Sequence, residues 1–340
     1  MKIVGWDIGG ANLKASIINF KNYKIKSNQI YCPIWLNIDN LRKSIISIKN
    51  NFGNCDYHAV TMTAELVDIF KNKKKGVKKI IELFCKIFPE KKVFFYSINE
   101  NFLKRKDAIL NTDNISSMNW HASASFISKY IKNCILVDIG SSTTDIVPIK
   151  NKKIVVKGFN DSERLSNGEL IYSGVLRTPI TSIVKNLHLK KKKHILIQEN
   201  FADIADVYRI LNKLPKNMDL ISTQDKKPKN PVASARRIAR LLAKDYKDEK
   251  FKDWKKISIE IENTQKKIFR NAIEKIKKKF FKKNIPIIGL GVGSFLIKEI
   301  YNNKNYFPFN KILKNFITNK KLLNCETAVS VAFLLYSNFK

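Results

Sequence analysis

Two stretches of this chain repeat one design, and they constrain its fold more than anything else in it. The second, VDIGSSTTDIVPI from Val137 to Ile149, reads as the end of a buried strand, a tight turn, a run of hydroxyls and a returning strand. Asp138 falls where the first strand ends, and Asp145 closes the hydroxyl run. Gly140 permits a turn that a Cβ would obstruct. Ser141, Ser142, Thr143 and Thr144 offer hydroxyls and backbone N–H groups, which suit phosphate oxygens. Near the N-terminus, VGWDIGGANLKASI places Asp7 in a short strand, then Gly9 and Gly10, then Lys14 on the returning strand. A carboxylate at each strand end, Asp7 and Asp138, suits Mg²⁺, a hard cation that takes oxygen ligands. One such hairpin is an ordinary turn. Two, each flanked by apolar strands, predict similar half-domains with a phosphate cleft between them.

Paired hairpins of this kind resemble the phosphate loops of the actin, Hsp70 and sugar-kinase superfamily. The expected fold class is therefore α/β, an actin/Hsp70/sugar-kinase-like (ASKHA) bilobal fold with two related mixed-sheet half-domains. The expected domains are 1–131, an N-terminal lobe with the first phosphate loop, and 132–340, a C-terminal lobe with the second phosphate loop, a substrate loop and a Gly-rich nucleotide-like loop. A chain of 340 residues has ample length for such a core.

The rest of the chain follows that plan. Alternating segments at 2–7, 13–20 and 24–31 read as a meander. The spacing of Leu41, Ile45 and Ile48 predicts a helix over 37–51 capped by Asp39 or Asn40. A buried strand at 57–62 runs into TMTAELVDIF, where Glu65 is either a site residue at a strand's C-terminal end or a first-turn helix carboxylate. Helices are expected over 76–88, 119–131, 199–211, 232–244 and 257–283, with strands at 92–96 and 152–156. In the fourth of these helices, Arg236 and Arg240 lie at i, i+4 and face either phosphates or solvent. A buried strand at 286–291 enters GLGVGSF, with Gly289, Gly291, Gly293 and Ser294. As a third loop after two phosphate hairpins, it resembles the nucleotide-side loop of the same superfamily. Cys325–Leu335 reads as a closing helix.

Between the central hairpin and the later helices lies GFNDSERLSNGELIYSGVLRTPI, Gly158 to Ile180. It concentrates Asp161, Glu163, Arg164, Glu169, Tyr172 and Arg177 with no helical or strand period, and reads as a substrate-binding loop. The arginines carry weight because nine of the 64 basic residues are Arg and the rest are Lys. A planar, bidentate donor kept in so Lys-rich a chain points to a geometric need.

A net charge of +35 invites a nucleic-acid reading. The Lys runs lack the interleaved aromatic platforms of single-strand binders, so no nucleic-acid partner is expected. The charge would instead draw anionic small molecules to the protein. The five cysteines form no C-x-x-C pair, and the four histidines are dispersed. No apolar run approaches the ~20 residues that span a bilayer, and the N-terminus has no signal-peptide layout. A cytoplasmic protein without a membrane partner is expected; the oligomeric state stays open.

Together VGWDIGGANLKAS, TMTAELVDIF, NWHASASF, DIGSSTTDIVPI, NDSERLSNGELIYSGVLRTPI, ENFADIADVYRIL and ARRIARLLAKD resemble a hydantoinase A/oxoprolinase-like family linked to tetrahydromethanopterin-dependent one-carbon metabolism. One departure is TQDKKP around Asp225, where a Gly after the acid is expected. The resemblance implies a synthase of furan-coenzyme (methanofuran or methylofuran) biosynthesis. Such an enzyme joins the phenol of γ-glutamyltyramine to an aminomethylfuran-methyl diphosphate and releases diphosphate. Hairpin amides and hydroxyls, Lys14, and Mg²⁺ on Asp7 and Asp138 would neutralise the leaving group. Asp145 and Asp161 are then candidate acceptors for the phenolic proton, and Arg164 and Arg177 would clamp phosphate or the glutamyl carboxylate. The competing reading is an ATP-dependent cyclic-amide hydrolase or small-molecule kinase, with ATP at Gly289–Ser294.

Overall fold

The computed structural model describes residues 1–215, 218–301, 305–313 and 325–340. The chain divides into two compact units. Unit 1 is Met1–Leu136, Val147–Asp161 and Phe307–Lys340; unit 2 is Val137–Ile146 and Ser162–Tyr306.

Unit 1 is built on a six-stranded sheet of order β3-β2-β1-β4-β5-β6. The strands are β1 (Lys2–Ile8), β2 (Asn12–Asn19), β3 (Lys24–Tyr31), β4 (Tyr57–Met62), β5 (Val93–Tyr96) and β6 (Phe102–Leu103). β1 and β2 form the antiparallel hairpin expected from the sequence, with Asp7 opposite Lys14. β4 runs parallel to β1, and β5 parallel to β4. β1 is buried from Ile3 onward, as a central strand covered on both faces must be. Its Val4, Trp6 and Ile8 face a core shared with helices α1 (Asp39–Phe52) and α2 (Lys73–Ile87). Neither Asp39 nor Asn40 caps α1; the Asn37 side chain turns the entry instead, accepting from the Asp39 amide at 2.8 Å. Asn72 caps α2, accepting from the Lys75 amide at 2.9 Å.

α3 (Arg105–Leu110) and α4 (Asn119–Tyr130) complete this part of the unit. The C-terminal helix α11 (Glu326–Asn338) returns to unit 1, packing on β1, β2, β4 and α4. Ala328 crosses Gly5 so closely that no Cβ fits there. The sequence expectation placed a single boundary at 131/132. The compact units instead gather 147–161 and 307–340 with the N-terminal segment, because an almost wholly buried helix such as α11 needs the β1 face to cover it.

The second sheet has the order β10-β8-β7-β13-β14, with β9 on β8. Its strands are β7 (Cys134–Ile139), β8 (Thr144–Lys150), β9 (Lys153–Ile154), β10 (Leu170–Ile171), β13 (Ile287–Leu290) and β14 (Tyr306–Pro308); β11 (Asn186–Leu189) and β12 (Lys192–Ile195) make a separate hairpin. The other helices are α5 (Asp161–Asn167), α6 (Ile204–Ile210), α7 (Pro231–Leu241), α8 (Phe251–Phe280), α9 (Ser294–Ile300) and α10 (Phe309–Leu313). α8 begins earlier than the expected residue 257 and runs 30 residues, burying Trp254, Ile257, Ile261, Gln265, Phe269, Ile273 and Ile276 along one stripe. Among the described residues, no helix is long and apolar enough to cross a membrane.

Candidate functional site

In unit 2 the chemistry gathers around the second hairpin. β7 is apolar up to Asp138, its penultimate residue. The Gly140 amide donates to the Thr143 carbonyl at 2.9 Å, closing the turn. Ser141, Ser142 and Thr143 are half-buried. Thr144 is fully buried and donates its hydroxyl to the Ser173 carbonyl at 2.6 Å. Gly140 itself does not need to be glycine: its φ is not positive, and a Cβ would meet only the Thr143 carbonyl, at 3.4 Å.

The steric demand falls on Gly174 instead. A Cβ there would stand 2.5 Å from Ser141 C and Ser142 N, and 2.6 Å from the Gly140 carbonyl oxygen. This close approach lets the Val175 amide donate to the Gly140 carbonyl at 3.1 Å. The Leu176 and Arg177 amides follow, both donating to the Ser141 carbonyl, at 3.0 and 2.8 Å. The Arg177 side chain lies exposed beside this welded pair of loops.

The third glycine loop also comes to this hairpin. Gly291 has φ +76°, and a Cβ on it would strike the Asp138 carboxylate and the Ile139 carbonyl. Gly293 donates its amide to the Ile139 carbonyl at 2.9 Å, and Gly289 lies against the Tyr306 ring. Gly291 therefore serves close packing on Asp138, and Gly293 serves it on Ile139.

The expected irregular loop at 158–180 contains α5, opened by Asp161, and β10. Asp145 and Arg164, expected in separate roles, form one buried pair. Arg164 Nη1 donates to Asp145 Oδ1 at 2.6 Å, and Nη2 to the Glu169 carbonyl at 3.0 Å. The Arg164 guanidinium is 1% exposed.

In unit 1 the first hairpin brings Lys14 Nζ to 4.0 Å from Asp7 Oδ2. The Gly9 amide donates to the Asn12 carbonyl at 3.0 Å, and the Ile34 amide to the Gly10 carbonyl at 3.1 Å. Register sets Gln29, Lys14, Asp7 and Thr61 side by side across four strands. Glu326 of α11 completes this polar row: burial raises its pKa, its own backbone amide and Lys14 lower it, and Asp7 raises it. Glu65 is fully buried, its Oε1 accepting from the Ser116 and Ser117 hydroxyls.

No group of three or more His, Cys, Asp or Glu side chains poised for a metal occurs among the described residues. Asp7 and Asp138 each supply a carboxylate in their own unit. A single carboxylate of this kind fits Mg²⁺, which keeps several waters and leans on one or two carboxylates and on substrate phosphates.

Two features went unread in the sequence. Gln265, buried within the apolar stripe of α8, donates to Ser173 Oγ at 2.9 Å and to the Gly174 carbonyl at 2.8 Å, while accepting from Tyr208. It holds the segment that presses on the hairpin. The second is Arg237, which is buried where Arg236 and Arg240 drew the attention. It donates from Nε and Nη2 to Asp206 Oδ1 at 2.9 and 2.7 Å, and from Nη1 to Asp225 Oδ1 at 3.0 Å. Asp225 Oδ1 also accepts from the Lys227 amide at 3.0 Å, so this carboxylate turns the TQDKKP loop without the expected Gly.

A hairpin at the centre of each sheet is the α/β arrangement of the actin, Hsp70 and sugar-kinase class, as the sequence implied. Residues 56–313 match the hydantoinase/oxoprolinase family, and the chain belongs to it. A relative in Methanocaldococcus jannaschii, named (4-{4-[2-(gamma-L-glutamylamino)ethyl]phenoxymethyl}furan-2-yl)methanamine synthase, is 38% identical over 293 residues, covering 85% of this chain and 86% of the relative. A relative of the same name in Methanococcus vannielii is 36% identical over 169 residues, covering 49% of this chain and 76% of the relative. Nucleotide-free acetone carboxylase, from work on ATP-dependent acetone carboxylation, aligns with a TM-score of 0.57 at 7% identity, over 97% of this chain and 70% of that one. That likeness bears on fold alone.

Proposed function

We propose that the protein is a synthase of furan-coenzyme biosynthesis. It joins the phenol oxygen of γ-glutamyltyramine to the methylene of an aminomethylfuran-methyl diphosphate. The phenolic O–H bond breaks, the O–CH₂ bond forms, and the bond to diphosphate breaks with its electron pair leaving on diphosphate. The observation that carries this reading is the 38% identity, over most of both chains, to a synthase named for that ether product.

The residues divide the work by chemistry. Ser141, Ser142 and Thr143 offer amides and hydroxyls to diphosphate oxygens, and Thr144 stiffens the loop from within. Exposed Arg177 clamps phosphate or the glutamyl carboxylate. Gly9 closes the first hairpin turn with its own amide, and Gly10 with Lys14 faces anionic groups. Asp138 in unit 2 and Asp7 in unit 1 are each, within their own unit, the carboxylate that would hold Mg²⁺, which when bound neutralises charge growing on the leaving diphosphate. Gly291 lets the third glycine loop press on Asp138, Gly293 lets it press on Ile139, and Gly289 packs on the Tyr306 ring. Arg164 locks Asp145 behind the hairpin, so that of the two expected proton acceptors Asp161 is the less engaged. The substrates are anionic small molecules, an amine bearing a γ-glutamyl group and a diphosphate ester.

The family name favours a second reading, an ATP-dependent cyclic-amide hydrolase or a small-molecule kinase with ATP at Gly289–Ser294. Purified protein with Mg²⁺ decides between them. Coupled ether and diphosphate, formed without ATP and lost in Asp138→Ala, support the synthase. ADP release dependent on 5-oxoproline or hydantoin, with no ether, overturns it.

A further inference from the structure

We propose that the ring of Tyr172 is the platform on which the furan of the diphosphate ester lies, and that it steadies the positive charge growing on the furan methylene, a role that rests on the synthase reading. Tyr172 belongs to the charged stretch between the central hairpin and the later helices. It is 62% exposed, more than any other Phe, Tyr or Trp among the described residues. A substrate can therefore reach it. Single exposed apolar side chains are ordinary on a surface; what sets this one apart is the backbone it stands on.

Its neighbours on both sides are tied to the anion hairpin, all within unit 2. Ile171 pairs with Thr144 in the β10–β8 ladder. The Ser173 carbonyl accepts from the Thr144 hydroxyl at 2.6 Å, and Ser173 Oγ accepts from Gln265 Nε2 at 2.9 Å. Gly174 presses on Gly140–Ser142. Residues 173–176 are buried, so Tyr172 and Arg177 are the two exposed residues that bracket the run welded to the hydroxyl turn. The two side chains suit the two ends of one molecule. A planar cation suits the diphosphate, and a phenol ring suits a flat, apolar furan. In the step, the bond from methylene to diphosphate breaks with its electron pair leaving on diphosphate, and positive charge spreads over the methylene and the furan ring. The face of a tyrosine ring is its negative side and attracts a cation within about 6 Å of its centroid. That attraction grows with the charge, so it favours the transition state over the bound ester. The phenol oxygen of the second substrate then bonds to the methylene, and its proton is released to solvent.

The test is steady-state coupling of γ-glutamyltyramine and the furan-methyl diphosphate, beside calorimetric titration with inorganic diphosphate. Tyr172→Leu should lower kcat by about 3–30-fold and leave the affinity for inorganic diphosphate unchanged. Tyr172→Phe, which keeps the ring face, should stay within about twofold of wild type. Pentafluorophenylalanine placed at position 172 keeps a flat ring but reverses the charge of its face, and should lose as much kcat as Tyr172→Leu. Full kcat in Tyr172→Leu overturns the assignment, as does a loss matched by an equal loss of diphosphate affinity, which would make the residue a prop for the loop. A change confined to KM, or full kcat with the fluorinated ring, overturns the role in steadying charge. If Tyr172→Leu does not fold, the comparison of Tyr172→Phe with the fluorinated ring gives the answer. Wild-type protein that binds diphosphate but forms no ether overturns the synthase reading itself, a distinct result.

Discussion

Arg164 Nη1 donates to Asp145 Oδ1 at 2.6 Å, with the guanidinium 1% exposed and its second nitrogen on the Glu169 carbonyl at 3.0 Å. The pair joins α5 and β10 to the strand that leaves the anion hairpin. Removing one partner of a buried ion pair leaves the other charge without compensation. Arg164→Ala should cost about 3–5 kcal/mol of stability, read by denaturant unfolding. Replacing both residues by leucine should cost less than the single change, and a loss under about 1 kcal/mol in Arg164→Ala would place the pair among surface-like interactions.

The glycines predict a contrast. Gly174→Ala puts a Cβ 2.5–2.6 Å from three backbone atoms of the hairpin, an overpacking that costs about 1–3 kcal/mol and should weaken binding of inorganic diphosphate. Gly140→Ala meets nothing closer than 3.4 Å and should fold and bind close to wild type. Calorimetric titration with diphosphate reads both. Equal behaviour of the two variants would mean that Gly174 does not shape the loop.

His58 predicts a pH dependence of stability. It is 4% exposed, its Nδ1 accepts from Trp6 Nε1 at 3.1 Å, and burial, with Lys92 and Lys49 adding, pushes its pKa down to about 3. The unfolded histidine protonates near its ordinary value of about 6.5. Between these two values the unfolded state binds the extra proton, so stability falls as pH drops from about 6.5 toward 3, by up to about 1.4 kcal/mol per unit. In His58→Gln that part of the slope should vanish from unfolding measured between pH 7 and 5. An unchanged slope would mean His58 takes up its proton in the folded state.

Gln265 predicts an effect at a distance. Its amide holds Ser173 and Gly174, and Tyr208 holds its carbonyl oxygen. Gln265→Leu leaves buried polar groups unpaired, at about 1–3 kcal/mol, and should raise the KM for the diphosphate substrate although it sits on a helix of the apolar core. Full stability and unaltered kinetics would contradict that role.

The two hairpins were legible because their signals are local: a strand, an acid, a turn and a strand lie within a dozen residues. Asp7 opposite Lys14, and Asp138 followed by the hydroxyl turn, needed no long-range information. What the sequence hid depends on tertiary approach. Gly174 looks like any loop glycine until the hairpin backbone is set against it. Arg164 looks like a substrate clamp because nothing local marks it as Asp145's buried partner, 19 residues away. Gln265 had one available sign, a polar residue inside the apolar stripe of α8. The C-terminal helix was recognised as a helix, but its return to β1 rests on Gly5 meeting Ala328, a contact across the whole chain.

The most direct measurement of the central claim follows one oxygen atom. γ-Glutamyltyramine carrying ¹⁸O in its phenol is incubated with the furan-methyl diphosphate, Mg²⁺ and the protein, and the products are read by mass spectrometry. Displacement at the furan methylene predicts ¹⁸O retained in the ether and unlabelled diphosphate. Label appearing in a phosphorylated product, or an ether formed without it, would contradict the account.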